Sequence, residues 1–422
     1  MHPLTNPPEF DRAEPSIRQL RAFFQAAVAG DLPVALWRLP FTDGSHGIVD
    51  FSGAAEPAPI DFCTGEPGFV LAPFVNEDNR SALRIRADLH LAPDGLHTRR
   101  KLWNGQRGRF ERFTATYQAL LMDEQCGVAA WYTSPDRSKS HCSSQTEYRD
   151  LVRQAIEFIS ESGLDKVVVS RMSETALQRD FDPVATFQRL CNRYPAAFVS
   201  LVAVPGVGTW IGASPELLLA DNGASLRTMA LAGTQARPVE RPLTEVAWSQ
   251  KEVEEQALVS DYVRDFFQRA GVANVEESGP HTVAAGNIVH LQTAFRVALP
   301  HDQRMTLANR VLHELHPTSA VCGMPKDKAL AFILQHEGYD RSFYSGFLGP
   351  VYLDGQSHLY VNLRCMQIGE RVAALYVGGG VTADSDPDAE WRETELKAET
   401  LLAVLCLETS VLPTQSVYSQ AT

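Results

Sequence analysis

The chain has 422 residues, 44% of them apolar, so it can bury a large core without disulfides, as two or three domains or one large α/β domain. Its net charge of −13, with no basic block, argues against a nucleic-acid partner. No apolar run approaches the roughly 18 residues of a membrane span. The cysteines at 63, 126, 142, 191, 322, 365 and 406 are scattered and form no C-x-x-C pair, which suggests neither a zinc ribbon nor a disulfide framework. The first residues, Met1-His2-Pro3-Leu4-Thr5-Asn6, show no basic region followed by an apolar one. A cytoplasmic location is expected on both counts.

Residues 1–15 are proline-rich and read as a flexible segment. Ile17, Leu20, Phe23, Phe24 and Ala27 mark a short amphipathic helix. From about 33 to 140, short apolar runs alternate with Gly, Pro and Asp turns, which predicts mostly antiparallel strands. Tyr148, Leu151, Val152, Ala155, Ile156 and Ile159 define a helix that stops at Gly163. The β-branched run Lys166–Arg171 predicts a buried strand with Lys166 at its mouth. Desolvation there would lower the lysine's pKa and make it a general base, though a solvated lysine at a strand start is the commoner case. Asp182-Pro183 caps a further helix, and Phe198–Val204 is a strand. Glu216 sits between a turn and the apolar run Leu217–Leu219, either facing solvent on a hairpin or aimed into a cavity as a proton donor. A long helix is predicted over roughly 244–270. A hairpin is predicted with one strand running from Leu359 to Met366, a turn at Gly369-Glu370 and a second strand ending in glycines. Arg364 then lies on the polar face of the first strand, able to fork onto a carboxylate. Residues 409–422 read as a flexible tail.

The densest chemistry lies in residues 378–397. Gly378-Gly379-Gly380 ends an apolar strand and leaves backbone N–H groups bare enough to form an anion nest. Asp386-Pro387 caps a helix on which Glu390, Glu393 and Lys397 share one face. Glu252 and Glu255 repeat that i, i+3 spacing on the helix near 250. Alone, such doublets are mostly solvated helix faces. Together, two facing doublets offer hard oxygen ligands of the kind Mg²⁺ takes.

Seven blocks in this order resemble the chorismate-utilising enzymes, and among them the isochorismate synthases. They are Lys166–Arg171, Gly212–Glu216, Leu231–Thr234, Ser249–Val259, Leu315–Gly323, Leu363–Cys365 and Gly378–Lys397. The first 140 residues match only loosely. The resemblance implies a single α/β (α+β) domain over 16–408, its catalytic motifs within 145–408, with antiparallel sheets packed face to face and helices outside. It implies Lys166 as general base and Glu216 as general acid. It implies Mg²⁺ on Glu255 and Glu393, with Glu252 and Glu390 in support. Substrate contacts are implied at Gly233, Thr234, His290, Ala320, Tyr344, Arg364, Gly378, Gly380 and Lys397. Gln256 stands where relatives often have His, and Gly379 where they often have Ala; neither removes a proposed ligand.

The resemblance also sorts the chemistry. Ammonia-using relatives carry glutamine at the position of Lys166, and aminodeoxychorismate relatives carry lysine at that of Ala232, so water is the expected nucleophile. Salicylate synthases, which go on to eliminate pyruvate, share the lysine but tend to carry threonine where Ala320 stands. The implied activity is a reversible conversion of chorismate to isochorismate. The alternatives are a salicylate synthase or a non-catalytic chorismate-binding protein of the same fold. A monomer is expected, without an amidotransferase subunit. Lys166 must be neutral and Glu216 protonated to act, so the two are expected not to pair with each other.

Overall fold

Serine caps open three of the helices with the reciprocal Ser/Glu or Ser/Gln hydrogen bonds of a capping box, at Ser16, Ser144 and Ser249, and Asp182 caps a fourth. In chain order the elements of the computed structural model begin with α1 (Ile17–Ala29), β1 (Val34–Arg38), β2 (Ser45–Val49), β3 (Glu56–Pro57), β4 (Gly68–Ala72), β5 (Leu83–Arg86), β6 (Leu89–Ala92), β7 (Gly95–Thr98) and α2 (Asn104–Met122). Then come α3 (Gln145–Ser162), β8 (Lys166–Ala176), α4 (Pro183–Arg193), β9 (Phe198–Val204), β10 (Gly208–Ser214), β11 (Leu217–Asp221), β12 (Ser225–Ala236), α5 (Gln250–Arg269), β13 (Glu276–Ala285) and β14 (Ile288–Ala298). The chain continues through α6 (His301–Arg310), β15 (Gly323–Met324), α7 (Lys326–His336), β16 (Phe347–Val351), β17 (Ser357–Val361), β18 (Cys365–Ile368), β19 (Val372–Val381) and α8 (Pro387–Leu405). The structure describes residues 15–57, 59–76, 81–99, 102, 104–123, 127–134, 142–238 and 242–405. Apart from Pro15, which is buried, the segments expected to be flexible at 1–15 and 409–422 lie outside the described residues.

The strands form two antiparallel sheets. One runs β15-β8-β19-β18-β10-β9-β1-β2-β6-β7, the other β13-β14-β12-β11-β17-β16-β4-β5-β3. Period two assigns the faces. On β1, Val34 and Leu36 pack outward against α1, α2 and α4, while Ala35 and Trp37 pack inward on Phe69 and Leu71 of the opposite sheet. Both faces of the strand are therefore buried, and its sequence reads as a continuous apolar run. Phe198 and Tyr360 stack across the two sheets with centroids 4.3 Å apart. Helix α5 covers the outer face of the second sheet, and α3 and α7 cover β8.

Two expectations are corrected here. Residues 104–122 are a helix, not strands. Phe110, Phe113, Tyr117, Leu120 and Leu121 carry its helical period and pack on the core beneath α1. The predicted strand from Leu359 to Met366 is two strands in different sheets, β17 and β18, joined at Asn362-Leu363-Arg364. Arg364 breaks the run with a left-handed backbone, φ 47°.

A buried ion pair ties β8 to its neighbours. Arg341 Nε donates to Glu337 Oε2 at 2.7 Å, and its other nitrogens donate to the carbonyls of Val168 and Val321 at 2.7 and 2.8 Å. Glu337 in turn accepts from the backbone N–H of Ser170 at 2.7 Å. Glu337→Ala would leave a buried guanidinium without its counter-charge, and should cost about 3–5 kcal/mol in urea unfolding. A loss below about 1 kcal/mol would contradict this account of the pair.

Candidate active site

Two of the chain's crossings between the sheets lie side by side. From β10 to β11 it crosses through Pro215-Glu216, and from β17 to β18 it returns through Asn362–Arg364. The crossings are tied together: Val361 N–H donates to Glu216 O at 3.0 Å, and Ala213 N–H to Arg364 O at 3.0 Å. The Ser214 hydroxyl also donates to Val361 O. A residue at such a crossing points into the space where the sheets part. That space is a cavity of about 560 Å³. Its lining includes Glu216, Gly233, Thr234, Glu255, His290, Ala320, Tyr344, Arg364, Gly378, Gly380, Glu393 and Lys397, so twelve residues expected from the sequence meet in one place. Gly379 and Ala232 line it too.

On one wall, Glu216 is 3% exposed and accepts a hydrogen bond from Thr318 Oγ1 at 3.0 Å. Burial pushes its carboxyl up to about 7; the Thr318 hydroxyl and the positive charges of Lys166, Arg364 and Lys397 act the other way and lose. Arg364 donates to His290 Nε2 at 3.2 Å, and His290 Nδ1 lies 2.7 Å from Gly233 O. These partners fix His290 as the neutral tautomer protonated at Nδ1. Burial first, then Arg364, pushes its pKa down to about 3. Tyr344 stacks on Tyr376 at 5.5 Å, and burial raises its phenol to about 12.

On the other wall, the inward face of β8 carries Lys166 and Val168, while Val167 and Val169 pack outward. Lys166 is 1% exposed, and its Nζ donates to Glu255 Oε1 at 2.7 Å. Burial pushes Glu255 up, but Lys166, Lys397 and Lys251 together hold it below the ordinary carboxylate range. Glu390 accepts from Lys251 and from the Ser385 hydroxyl, both at 2.8 Å, and Glu393 pairs with Lys397 at 2.6 Å. Burial and then the neighbouring Glu393 raise Glu390 despite its lysine. Lys397 also donates to Gly378 O at 2.8 Å.

Gly378–Gly380 are not an anion nest. They belong to the regular strand β19, in register with Val168–Ser170 of β8, and none has a positive φ. What they supply is space. A Cβ at Gly380 would lie 2.6 Å from Lys166 Cε and 2.7 Å from Glu255 Oε1. A Cβ at Gly379 would lie 2.8 Å from Glu390 Oε2 and 3.8 Å from Glu393 Oε1. Three carboxylates thus converge on two successive glycines, an all-oxygen donor set that suits a hard divalent cation. Among the described residues no group of three or more His, Cys, Asp or Glu side chains is arranged to hold a metal ion, and each of the three carboxylates is paired with a lysine. Glu252, expected to support a metal, is used elsewhere: its carboxylate caps α5 at Ser249 N, 2.7 Å, and accepts from Gln235 Nε2 at 3.0 Å.

The sequence reading did not assign Thr318, Lys251 or Tyr148 to the site. Thr318 and Lys251 stand inside blocks already quoted, Lys251 one turn before Glu255 on α5. Tyr148 Oη is buried, has no hydrogen-bond partner among the described residues, and would lie 3.5 Å from a Cβ at Gly379. Burial, then Glu390 and Glu393, hold its phenol well above the usual range. Nothing in its sequence context marked it. Gln256, the departure from the family's His, is buried and donates to Thr293 Oγ1 at 2.9 Å, anchoring α5 to β14.

Two sheets parting around a carboxyl, a lysine and a cluster of paired acids define a small-molecule enzyme site of the chorismate-binding type. The chain belongs to the chorismate binding enzyme family, which it matches over residues 107–406. It is 30% identical over 269 residues to the isochorismate synthase EntC of Escherichia coli K12, covering 62% of this chain and 68% of the relative. It is 31% identical over 274 residues to the isochorismate synthase DhbC of Bacillus subtilis 168, covering 61% and 67%. Its fold matches that of MenF, the menaquinone-specific isochorismate synthase of Escherichia coli, with a TM-score of 0.72 at 24% identity over 91% of both chains. No helix among the described residues is long and apolar enough to cross a membrane, and Cys63, Cys142, Cys191, Cys322 and Cys365 form no disulfide.

Because the folded state raises the pKa of Glu216, ionising it costs stability. The cost is absent below the unfolded-state value, grows as pH rises towards about 7, and is complete above it. Glu216→Gln should therefore raise the melting temperature at pH 8 and leave it nearly unchanged at pH 4. Equal effects at both pH values would contradict a buried, raised carboxyl.

Proposed function

We propose that the chain is an isochorismate synthase, interconverting chorismate and isochorismate. The observation that carries this reading is a pair of buried groups that do not pair with each other: Glu216, which lines the cavity at the sheet crossing, and Lys166 on β8, which reaches the cavity through its bond to the lining residue Glu255. In the forward direction Lys166, once it has given up the proton it shares with Glu255, takes a proton from water as the oxygen attacks C2 of the ring. The ring double bond shifts, and Glu216 gives its proton to the C4 hydroxyl as it leaves as water. With Glu216 at about 7, the carboxyl is substantially protonated at neutral pH and can act as this acid. In reverse the two groups exchange roles. Arg364 and Lys397 hold and orient the carboxylates of the substrate, and His290 accepts from Arg364 and fixes its position.

Glu255, Glu390 and Glu393 are the residues that would hold Mg²⁺. When bound it would neutralise a substrate carboxylate, and engaging Glu255 as a ligand would also free Lys166 from it. The reading includes a cytoplasmic monomer that needs no amidotransferase subunit, since water is the nucleophile. Whether the product serves menaquinone or siderophore synthesis is a matter for its downstream enzymes.

Incubation with chorismate and Mg²⁺ should yield isochorismate. Salicylate plus pyruvate would identify a salicylate synthase, and unchanged chorismate a non-catalytic binding protein. EDTA should abolish turnover, and excess Mg²⁺ should restore it. Lys166→Ala and Glu216→Gln should each lower kcat by about 10²–10⁴-fold in both directions. Near-native rates in Lys166→Ala would remove the assignment.

A further inference from the structure

A second hollow of about 490 Å³ lies directly behind the first. Arg364 and Pro215 line both, so these residues form the wall that the two spaces share. The hollow is bounded by the α4–β9 corner, the tip of the β13–β14 hairpin and α8. Arg193 and Arg237 stand exposed at its rim, and Arg364, 8% exposed, at its base. Among the described residues no carboxylate lines it, although Glu399 on α8 is near enough to act on Tyr194. That is a marked local reversal in a chain of net charge −13. The active-site cavity, by contrast, holds Glu216, Glu255 and Glu393. Burial raises the Tyr194 phenol in this hollow, and the charges of Arg193 and then Arg364 act against that rise, so both guanidinium fields reach its interior.

A small dianion approaching an acidic protein is repelled everywhere except where cations outnumber anions, and a cleft lined by one sign of charge focuses the field. We propose that this hollow is the entry vestibule for a small dicarboxylate, drawn in by Arg193 and Arg237 and handed to the active site by Arg364. The proposal rests on the functional reading above for the identity of the dicarboxylate. Arg364 then has two duties, wall of the vestibule and clamp in the site. Its guanidinium offers five donors, of which the bond to His290 uses one.

A route differs from a binding contact in its kinetics. Narrowing a route slows entry and exit together and leaves the equilibrium constant unchanged. Losing a contact speeds exit. Stopped-flow tryptophan fluorescence with chorismate, at about 10 and about 200 mM salt, separates the two. Arg193→Glu/Arg237→Glu should slow association about tenfold or more at the lower salt and weaken its salt dependence. Ala196→Trp, which narrows the mouth from the α4–β9 corner, should slow association and dissociation by the same factor, with circular dichroism unchanged. Association rates equal to the unmodified chain's in both variants would overturn the vestibule, as would a loss of affinity through dissociation alone. If the unmodified chain does not bind chorismate, the functional reading fails instead, and with it the ligand class assigned to the hollow.

Discussion

The site depends on one structural constraint, the paired crossing of the chain between its two sheets. Each crossing places residues against the gap, among them Glu216 on one and Arg364 on the other. Backbone hydrogen bonds from Val361 to Glu216 and from Ala213 to Arg364 tie the crossings together, so the backbone that carries one side chain is fixed relative to the backbone that carries the other. Arg364 adopts a left-handed backbone that a non-glycine residue takes only where its surroundings impose it. The proposed general acid and the proposed carboxylate clamp are therefore positioned by the same few bonds that join the sheets. The inward face of β8 then supplies Lys166 from across the gap.

Around that frame the charges are matched one to one. Lys166, Lys251 and Lys397 neutralise Glu255, Glu390 and Glu393. Buried ion pairs add little stability, because desolvation cancels most of the attraction. Their presence here points to function: the pairs offset part of the repulsion among three carboxylates gathered at two glycines. They also keep the cluster poised to exchange partners, since a cation or a substrate carboxylate can replace one member of each pair. Glu216 stands apart from this network. Its nearest partner is a neutral hydroxyl, and that isolation lets burial set its protonation.

Much of this was legible in the sequence. The spacing of Glu252, Glu255, Glu390 and Glu393 picked out the two acidic helices, and the β-branched run after Lys166 predicted a buried strand, although a lysine at a strand start is more commonly solvated. What failed did so for physical reasons. Period two cannot distinguish one long strand from two strands in different sheets, so the break at Arg364 was invisible. The glycines at 378–380 were read for their conformational freedom, whereas the fold uses their lack of a side chain. The doublet spacing put Glu252 beside Glu255, but the capping box claims the first-turn carboxylate. Helix α2 was missed because its aromatic stripe lies in a region otherwise punctuated by turns. The Lys166–Glu255 pair joins residues 89 apart in sequence and only the fold brings it about.

The central claim is that burial at the crossing keeps Glu216 protonated near neutrality. Infrared difference spectroscopy of the protein between pH 5 and pH 9, with Glu216→Gln as reference, reads that proton directly through the carbonyl stretch of a protonated carboxyl. The structure predicts a band present at pH 5, lost with a midpoint near 7, and absent from the variant. A Glu216 carboxylate already ionised at pH 5 would contradict the account.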